Sequence, residues 1–244
     1  MIRRSLTELG RARVVFVTVV VCSAAAGLGV LLWPDSGGGG QPSPGATAPV
    51  RKLPVVVDSA VPGLIDADTD RSEMGLPSMP GDDPLTERAL TEIQERTLVM
   101  AGIRADVSAA CEGGRVLPKA GHKTLCTVTY RGVELTWDVW VSDVAGSGAG
   151  QLYWYDIYPP DSGLLLADAV YGRFWNEHHK TAEELRCDRI PAVKTVELGA
   201  DTGYACQYLD TADADTPRWV TEEVLADTTG PVFREPEQRD TSGS

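Results

Sequence analysis

The sequence predicts an α+β fold made of two related small units, each a helix packed on an antiparallel sheet with one disulfide. The two units follow an N-terminal transmembrane helix and a disordered linker. Three observations predict this fold: a long uncharged run near the N-terminus, a Pro- and Gly-rich segment, and a helix, Cys, loop, Cys, hairpin order that occurs twice. Of the 244 residues, 43% are apolar, which is enough for a packed core.

Residues 14–33, VVFVTVVVCSAAAGLGVLLW, contain no charged side chain. A helix rises about 1.5 Å per residue, so a run of this length spans about 30 Å, the thickness of the hydrocarbon core of a bilayer. Four arginines and one glutamate precede the run, and cationic flanks stay on the cytoplasmic side. The pattern predicts a transmembrane signal-anchor helix, a cytoplasmic basic stub over residues 1–13, and a C-terminal domain outside the cell membrane.

Two alternatives concern the same apolar run. Cleavage by a signal peptidase after Ala26 would release the protein, although the apolar run continues beyond that point. Cys22 could carry a lipid, but it follows three valines and lacks the small residue that lipoprotein processing normally needs. We therefore expect Cys22 to be an inert cysteine in the membrane.

Residues 34–81 hold eight of the 16 prolines, a run of four glycines and no periodic apolar pattern. This composition predicts a disordered linker, and a flexible coil of that length has an r.m.s. span of roughly 40 Å. A short strand at Val55–Val57 is the alternative within this segment. Pro54 and Pro62 on either side argue against it.

The first unit, residues 82–160, begins with a predicted helix. Pro84 suits its first turn, and Gly102 follows its end. The face that should be buried recurs at helical spacing and comprises Ala89, Leu90, Ile93, Thr97, Leu98 and Met100. The runs TLCTVTY and VELTWDVWV flank an Arg-Gly turn and predict a hairpin with one buried face, and LYWYDIY predicts a third antiparallel strand.

The second unit, residues 161–226, has the same order of elements. GLLLADAVYGRFWNEHHKTAEELRC predicts one helix, and YACQYLD and RWVTEEVLA predict two strands after it. The apolar stripe of this helix comprises Leu166, Val170, Phe174 and Leu185. Residue identity between the units is too low to prove a duplication. Residues 227–244 are predicted to be a disordered tail.

Four cysteines lie beyond the membrane run, in two pairs with like positions. In an oxidising compartment, this arrangement predicts the disulfides Cys111–Cys126 and Cys187–Cys206. Zinc binding is disfavoured because the close CxxC spacing is absent, and the same absence argues against a redox role. The two pairs are therefore expected to stabilise the fold.

Other candidate chemistry in the sequence is sparse. Glu177, His178 and His179 are adjacent, but neighbouring side chains of a helix point about 100° apart, so a solvated helix face is expected instead of a metal site. No GxSxG, HExxH or phosphate-binding Gly loop occurs, and the Asp-rich segments lack EF-hand spacing. We expect no catalytic residues, no metal and no cofactor.

The net charge excludes one class of partner. The chain carries −13, and residues 1–33 contribute +3, which leaves −16 for the remainder. A surface with this much negative charge repels nucleic acid and anionic lipid head groups. We therefore do not expect the protein to bind nucleic acid. The membrane is contacted through residues 14–33, and the other partner is expected to be an envelope protein or a cell-wall component.

The chain resembles a loose group of actinobacterial membrane-anchored or secreted proteins of uncharacterised function. The resemblance rests on Arg3, Arg4, the apolar run of residues 14–33, and the Cys111/Cys126 pair followed by TVTYRGVELTWDVWV. It implies a small Cys-paired helix-plus-sheet domain held outside the membrane.

The resemblance is confined to part of the chain. It covers residues 82–141, with a weaker echo over residues 164–225. No catalytic residue can be carried over from this group, because the group offers none.

Two functions are compatible with these observations. The first is a non-catalytic envelope module that binds a protein or cell-wall component, and the alternative is a small extracytoplasmic hydrolase with an unrecognised site. A deep pocket lined by convergent polar groups would favour the hydrolase. A flat sheet face with exposed aromatic side chains would favour the binding module.

Trp140 indicates where a partner would bind. It lies among polar residues in the strand VELTWDVWV, on the side opposite the apolar positions. In the neighbouring LYWYDIY, either Tyr153 and Tyr155 or Trp154 must share that surface. Trp140, Tyr153 and Tyr155 are the predicted partner-binding residues. The alternative is that the second unit packs over this face and buries them.

Overall fold

The computed structural model describes residues 51–77, 85–146, 151–212 and 216–236, which form an α+β fold with antiparallel sheets. The helices are α1 (Arg71–Met74), α2 (Leu85–Ala101) and α3 (Ala167–His178), and a 3₁₀ turn spans Glu112–Gly114. The strands are β1 (Val55–Val56), β2 (Val107–Cys111), β3 (His122–Tyr130), β4 (Val133–Ala145), β5 (Leu152–Tyr158), β6 (Ser162–Leu165), β7 (Ala182–Cys187), β8 (Lys194–Glu197), β9 (Asp201–Asp210), β10 (Arg218–Asp227) and β11 (Gly230–Arg234).

Within the described residues, the strands form three sheets. One has four strands in the order β2-β3-β4-β5, one has five in the order β1-β7-β9-β10-β11, and β6 pairs with β8. Every pair is antiparallel. The α+β prediction with antiparallel sheets is therefore confirmed.

The β3–β4 hairpin forms where the sequence predicts it. Arg131 and Gly132 both have positive φ, 46° and 81°, as a two-residue turn between twisted strands requires. Tyr130 and Val133 are the first pair after the turn. The buried Tyr130 hydroxyl donates to the carbonyl of Ile103 at 2.9 Å, which ties the hairpin to the end of α2.

Helix α2 contributes the predicted apolar face to the core, except that Leu90 is only partly buried. Its buried residues are Leu85, Ala89, Ile93, Thr97, Leu98, Met100 and Ala101. The apolar members of this set pack in one cluster with the inward side chains of β3 and β4. The buried Thr97 hydroxyl donates to the carbonyl of Ile93 at 2.8 Å. The hydrogen-bonding need of this buried polar group is therefore met within the helix.

Both predicted disulfides are present. Cys111 and Cys126 are direct partners across β2 and β3, and Cys187 and Cys206 are direct partners across β7 and β9. In each pair the Cα atoms are 3.9 Å apart. The first cysteine of each pair lies at the end of a strand, whereas the sequence placed it in the chain leaving a helix.

The second predicted helix is too long. Helix α3 ends at His178, and residues 182–187 form β7 instead. Leu185 therefore lies on a strand, not on the apolar stripe of the helix. Leu185 packs in the same cluster as Val170 and Phe174. All three residues are apolar because they share one core, and this made the sequence resemble one continuous helix.

Two segments that were predicted to be disordered contain edge strands. In the predicted linker, β1 pairs with β7, and the N–H of Val57 donates to the carbonyl of Leu185 at 2.9 Å. In the predicted tail, β11 pairs with β10. Pro54 and Pro62 argued against a strand in the linker, but they lie outside β1, which forms a sheet edge. Strand β11 contains Pro231 and is also an edge strand, where a missing N–H is tolerated.

Several predictions concern residues outside the described ranges. They include the stub of residues 1–13, the apolar run of residues 14–33, the first part of the linker, and the helix start at Pro84. Among the described residues, no helix has the length and apolar character needed to cross a bilayer.

Candidate functional site

The four-stranded sheet has one buried face and one exposed face. Along β4, Leu135, Trp137, Val139 and Val141 are buried, as the alternation of the sequence predicts. Trp140 points the other way and is 38% exposed. The sequence allowed an alternative in which the second unit packs over this face and buries Trp140. That alternative is wrong, because no described residue covers the indole enough to bury it.

Large apolar side chains cluster on the exposed side of this sheet. They are Leu125, Trp140, Leu152, Trp154 and Tyr158, which we call the aromatic face. Residues directly opposite each other on neighbouring strands share a face. Leu125 of β3 and Tyr158 of β5 are both opposite Asp138 of β4, so they share one face. Trp140 is opposite Asp156. Because Trp154 and Tyr158 are each two residues from Asp156 along β5, they lie on the same face as Trp140.

A β-bulge in β4 sets the register at one end of the aromatic face. Val141 pairs with Tyr155, whereas Asp143 pairs with Trp154, so one extra residue lies in β4 between the two pairs. Ser142 fills the irregularity, and its hydroxyl donates to the carbonyl of Trp154 at 3.1 Å. Before the bulge the inward side chains of β4 have odd residue numbers, whereas beyond it the even-numbered Val144 packs against the core. The extra residue therefore reverses which positions face inward.

Tyr153 and Tyr155 lie on the opposite side from Trp140. Both are partly buried and pack against the core. The Tyr155 hydroxyl donates to Glu92 Oε2 of α2 at 3.1 Å, and burial together with the nearby Glu92 carboxylate raises the pKa of Tyr155. Of the two registers that the sequence allowed, the structure has the one that exposes Trp154. This corrects the predicted location of the two tyrosines.

Acidic side chains surround the aromatic face. Lys123 is opposite Trp140, and its Nζ is 2.5 Å from Asp138 Oδ2. Asp156 is exposed beside Trp140 and has no ion-pair partner among the described residues. Glu134 is also exposed, at the other end of β4. The face therefore combines indole and phenol rings with carboxylates.

The adjacent histidines have separate partners. His178 Nε2 lies 3.2 Å from Glu222 Oε2, and its ring stacks on Tyr208 with the centroids 4.3 Å apart. His179 turns back onto its own helix, where Nδ1 is 2.7 Å from the carbonyl of Trp175. They do not converge on one ion. His178 is nevertheless packed, not solvated, since its side chain is only 15% exposed.

Burial shapes the chemistry of the carboxylate beside His178. Desolvation raises the pKa of Glu177, and the positive charge of His178, when protonated, opposes that shift.

The Asp-rich segment at residues 66–70 is a turn in which Asp66 Oδ1 accepts from the N–H of Asp68 and the hydroxyl of Thr69. In the described part of the chain, no group of three or more His, Cys, Asp or Glu is placed to hold a metal ion.

Comparison with known proteins identifies no family for the chain. No protein-family model matches it, and neither the curated proteins nor the solved structures include a match. Its function is therefore inferred from its own residues and their geometry.

Proposed function

We propose that this chain is a non-catalytic binding module of the cell envelope that holds a partner on the aromatic face. The observation that carries this proposal is the cluster of exposed rings on one side of the four-stranded sheet. Trp140, Trp154 and Tyr158 are 38%, 49% and 52% exposed, with no covering element in the described part of the chain.

The composition of the aromatic face supports its proposed role as an interface. Single exposed apolar side chains are common on soluble proteins, but contiguous groups of them mark contact sites. Trp and Tyr are enriched at the centres of interfaces, because they bury a large area at a small loss of side-chain freedom. Strands also hold these rings on a rigid backbone, which lowers the entropic cost of binding.

The charges favour a protein partner with arginine side chains on its docking surface. A guanidinium can stack on an indole and at the same time donate to a carboxylate beside it. Trp140 and Asp156 offer that combination as direct cross-strand neighbours. The part of the chain after residue 33 carries −16, so a basic partner would also be attracted from a distance.

The proposed location is outside the cell membrane, with residues 14–33 as a single-pass anchor and residues 34–50 as part of a spacer. Two disulfides support an oxidising compartment. The resemblance to membrane-anchored or secreted actinobacterial proteins is part of the same proposal. A reporter that is active only in the cytoplasm, fused after Ser244, should stay silent.

The proposal includes two related units within the extracytoplasmic part. In sequence order, α2 is followed by β2, β3, β4 and β5, and α3 by β7, β9, β10 and β11, with β8 inserted. The disulfide joins the first of these strands to the second in both cases. The repeated order supports a common origin for the two halves.

Binding can be tested with matched variants of the full chain in detergent. One variant carries Trp140→Ala and Trp154→Ala. The control carries Val232→Ala, which replaces an exposed apolar residue on β11 of the five-stranded sheet. A photoreactive residue in place of Tyr158 should crosslink to an envelope protein in the control but not in the double variant. High salt should weaken the crosslink, because the proposed contact is partly ionic.

Two results would contradict the proposal. One is equal crosslinking in the double variant and the control, which would mean that the rings do not form the contact. The other is binding of purified cell-wall polysaccharide, independent of salt, with no protein crosslink. That second result would assign the aromatic face to a carbohydrate.

A further inference from the structure

A pocket of 680 Å³ lies beside α2, on the side of the sheet opposite the aromatic face. We call it the α2 pocket. Its walls include Glu92, Glu95 and Arg96 of α2, Arg71 of α1, Trp137 of β4, and the turn at Thr228 and Thr229. Its volume is within the range of small-molecule sites.

Three buried hydrogen-bond donors on residues that line this pocket lack a partner in the described part of the chain. They are Nε and Nη2 of Arg71 and Nε1 of Trp137. Only one other buried side-chain atom in the described residues is unpaired, the hydroxyl of Thr124. A buried donor without a partner is destabilising, and more so when it is charged, so three of them on residues of one pocket call for an acceptor.

The two free atoms of Arg71 have the geometry of a carboxylate site. Its third nitrogen, Nη1, contacts Glu95 Oε2. Nε and Nη2 are the two donors along one edge of the planar guanidinium, and their parallel N–H bonds match the two oxygens of a carboxylate. Trp137, which lines the same pocket, carries the third unpaired donor, its indole N–H.

The acidic groups of the α2 pocket are already engaged. Glu95 is paired with Arg71, and Glu92 is paired with Arg96, whose Nη2 is 2.6 Å from Glu92 Oε1. Neither carboxylate is left unpaired to act as a base toward a substrate. The unpaired groups on the residues of this pocket are all donors, which favours a binding site for a ligand that supplies acceptors.

We propose that the α2 pocket binds a small ligand through a carboxylate group. The carboxylate accepts two hydrogen bonds from Nε and Nη2 of Arg71 and one from Nε1 of Trp137. The side chain of Arg71 is 21% exposed and lies nearer the pocket opening, whereas Trp137, at 1% exposure, forms the inner wall. Because the three donor atoms are themselves buried, ligand entry requires the side chains that cover them to move aside. This site is independent of the aromatic face, and neither proposal depends on the other.

The test uses the full chain in a nonionic detergent with ¹⁵N in its six tryptophan indoles. The probes are benzoate and N-acetylglycine, each compared with its neutral amide, and inorganic phosphate, all at constant ionic strength. The Trp137 indole N–H signal is assigned with Trp137→Phe. We expect at least one carboxylate to shift this signal to saturation, and its amide to leave the signal unchanged.

The matched variants are Arg71→Lys and Arg104→Lys. Lysine keeps the charge at position 71 but loses the planar pair of donors, so the affinity for the carboxylate should fall about tenfold or more. Arg104 lies outside the α2 pocket, and its replacement should leave the affinity unchanged. The remaining indole signals report whether each variant is folded.

Four outcomes would overturn the proposal. They are no shift with any carboxylate, as expected if the pocket holds only water; equal shifts with the amides; a shift with phosphate alone; and an unchanged affinity in folded Arg71→Lys. If that variant does not fold, the comparison of acids with amides on the unmodified chain decides the question.

Discussion

Trp137 and Trp140 lie three residues apart on β4 and point to opposite faces of the four-stranded sheet, so that the first is 1% exposed and the second 38%. Trp137 belongs to the core cluster around α2, whereas Trp140 belongs to the aromatic face. The same residue type is therefore part of the core at one position and exposed on the aromatic face at the other.

Alanine substitutions at these two positions should separate the roles. Trp137→Ala leaves a large cavity and should lower the free energy of unfolding by about 3 to 5 kcal/mol. Trp140→Ala removes a partly exposed ring and should lower it by about 1 kcal/mol or less. Urea unfolding followed by circular dichroism measures both. A loss at position 140 as large as that at position 137 would mean that Trp140 is core and would remove the main support for the binding face.

Each disulfide should contribute about 3 kcal/mol, because it closes a loop of 15 or 19 residues in the unfolded chain. Replacing Cys111 and Cys126 together by serine should lower the free energy of unfolding by that amount, and the same holds for Cys187 and Cys206. Cys22→Ser is the control and should have no effect. Non-reducing peptide mapping that linked Cys111 to Cys187 would contradict the pairing.

Gly172 allows the segment around Val61 and Leu64 to pack closely on α3. A Cβ at this position would lie 2.8 Å from Val61 Cβ and 2.9 Å from a methyl carbon of Leu64. Gly172→Ala should therefore destabilise the protein by about 1 to 3 kcal/mol, although alanine is the better helix former by about 1 kcal/mol. In a Leu64→Ala background the cost should shrink. A stabilising effect of Gly172→Ala in the thermal melt would show that the contact is loose.

Asp227 should make stability fall in acid. Its Oδ1 accepts from the N–H and hydroxyl of Thr229 and from the hydroxyl of Thr228, and these hydrogen bonds, the Thr229 N–H first, lower its pKa below the usual 3.8. A lowered folded-state pKa adds stability above pH 3.8 that is lost as the pH falls through the lowered value. Asp227→Asn should flatten this part of the profile of unfolding free energy between pH 2 and 6. An unchanged acid slope would assign the slope to other carboxylates.

The local pattern of the sequence was sufficient for several features. The β3–β4 hairpin, the buried face of α2 and the outward position of Trp140 follow from short-range periodicity, which depends only on strand and helix geometry. The like placement of Cys111 and Cys187 before Cys126 and Cys206 was enough to predict both disulfides. The candidate site was therefore located to one face of one sheet, although only one of its three predicted residues lies there.

The tertiary structure decided the features that depend on distant parts of the chain. LYWYDIY has aromatic residues at both alternating positions, so only its pairing with β4 and the bulge at Ser142 determine that Trp154 is exposed and Tyr153 and Tyr155 are not. Strands β1 and β11 gain their hydrogen bonds from β7 and β10, and no local signal reports such partners. Arg71 likewise meets α2 and Trp137 at one pocket only because the chain folds back, since side chains that are distant in sequence converge through packing and not through periodicity.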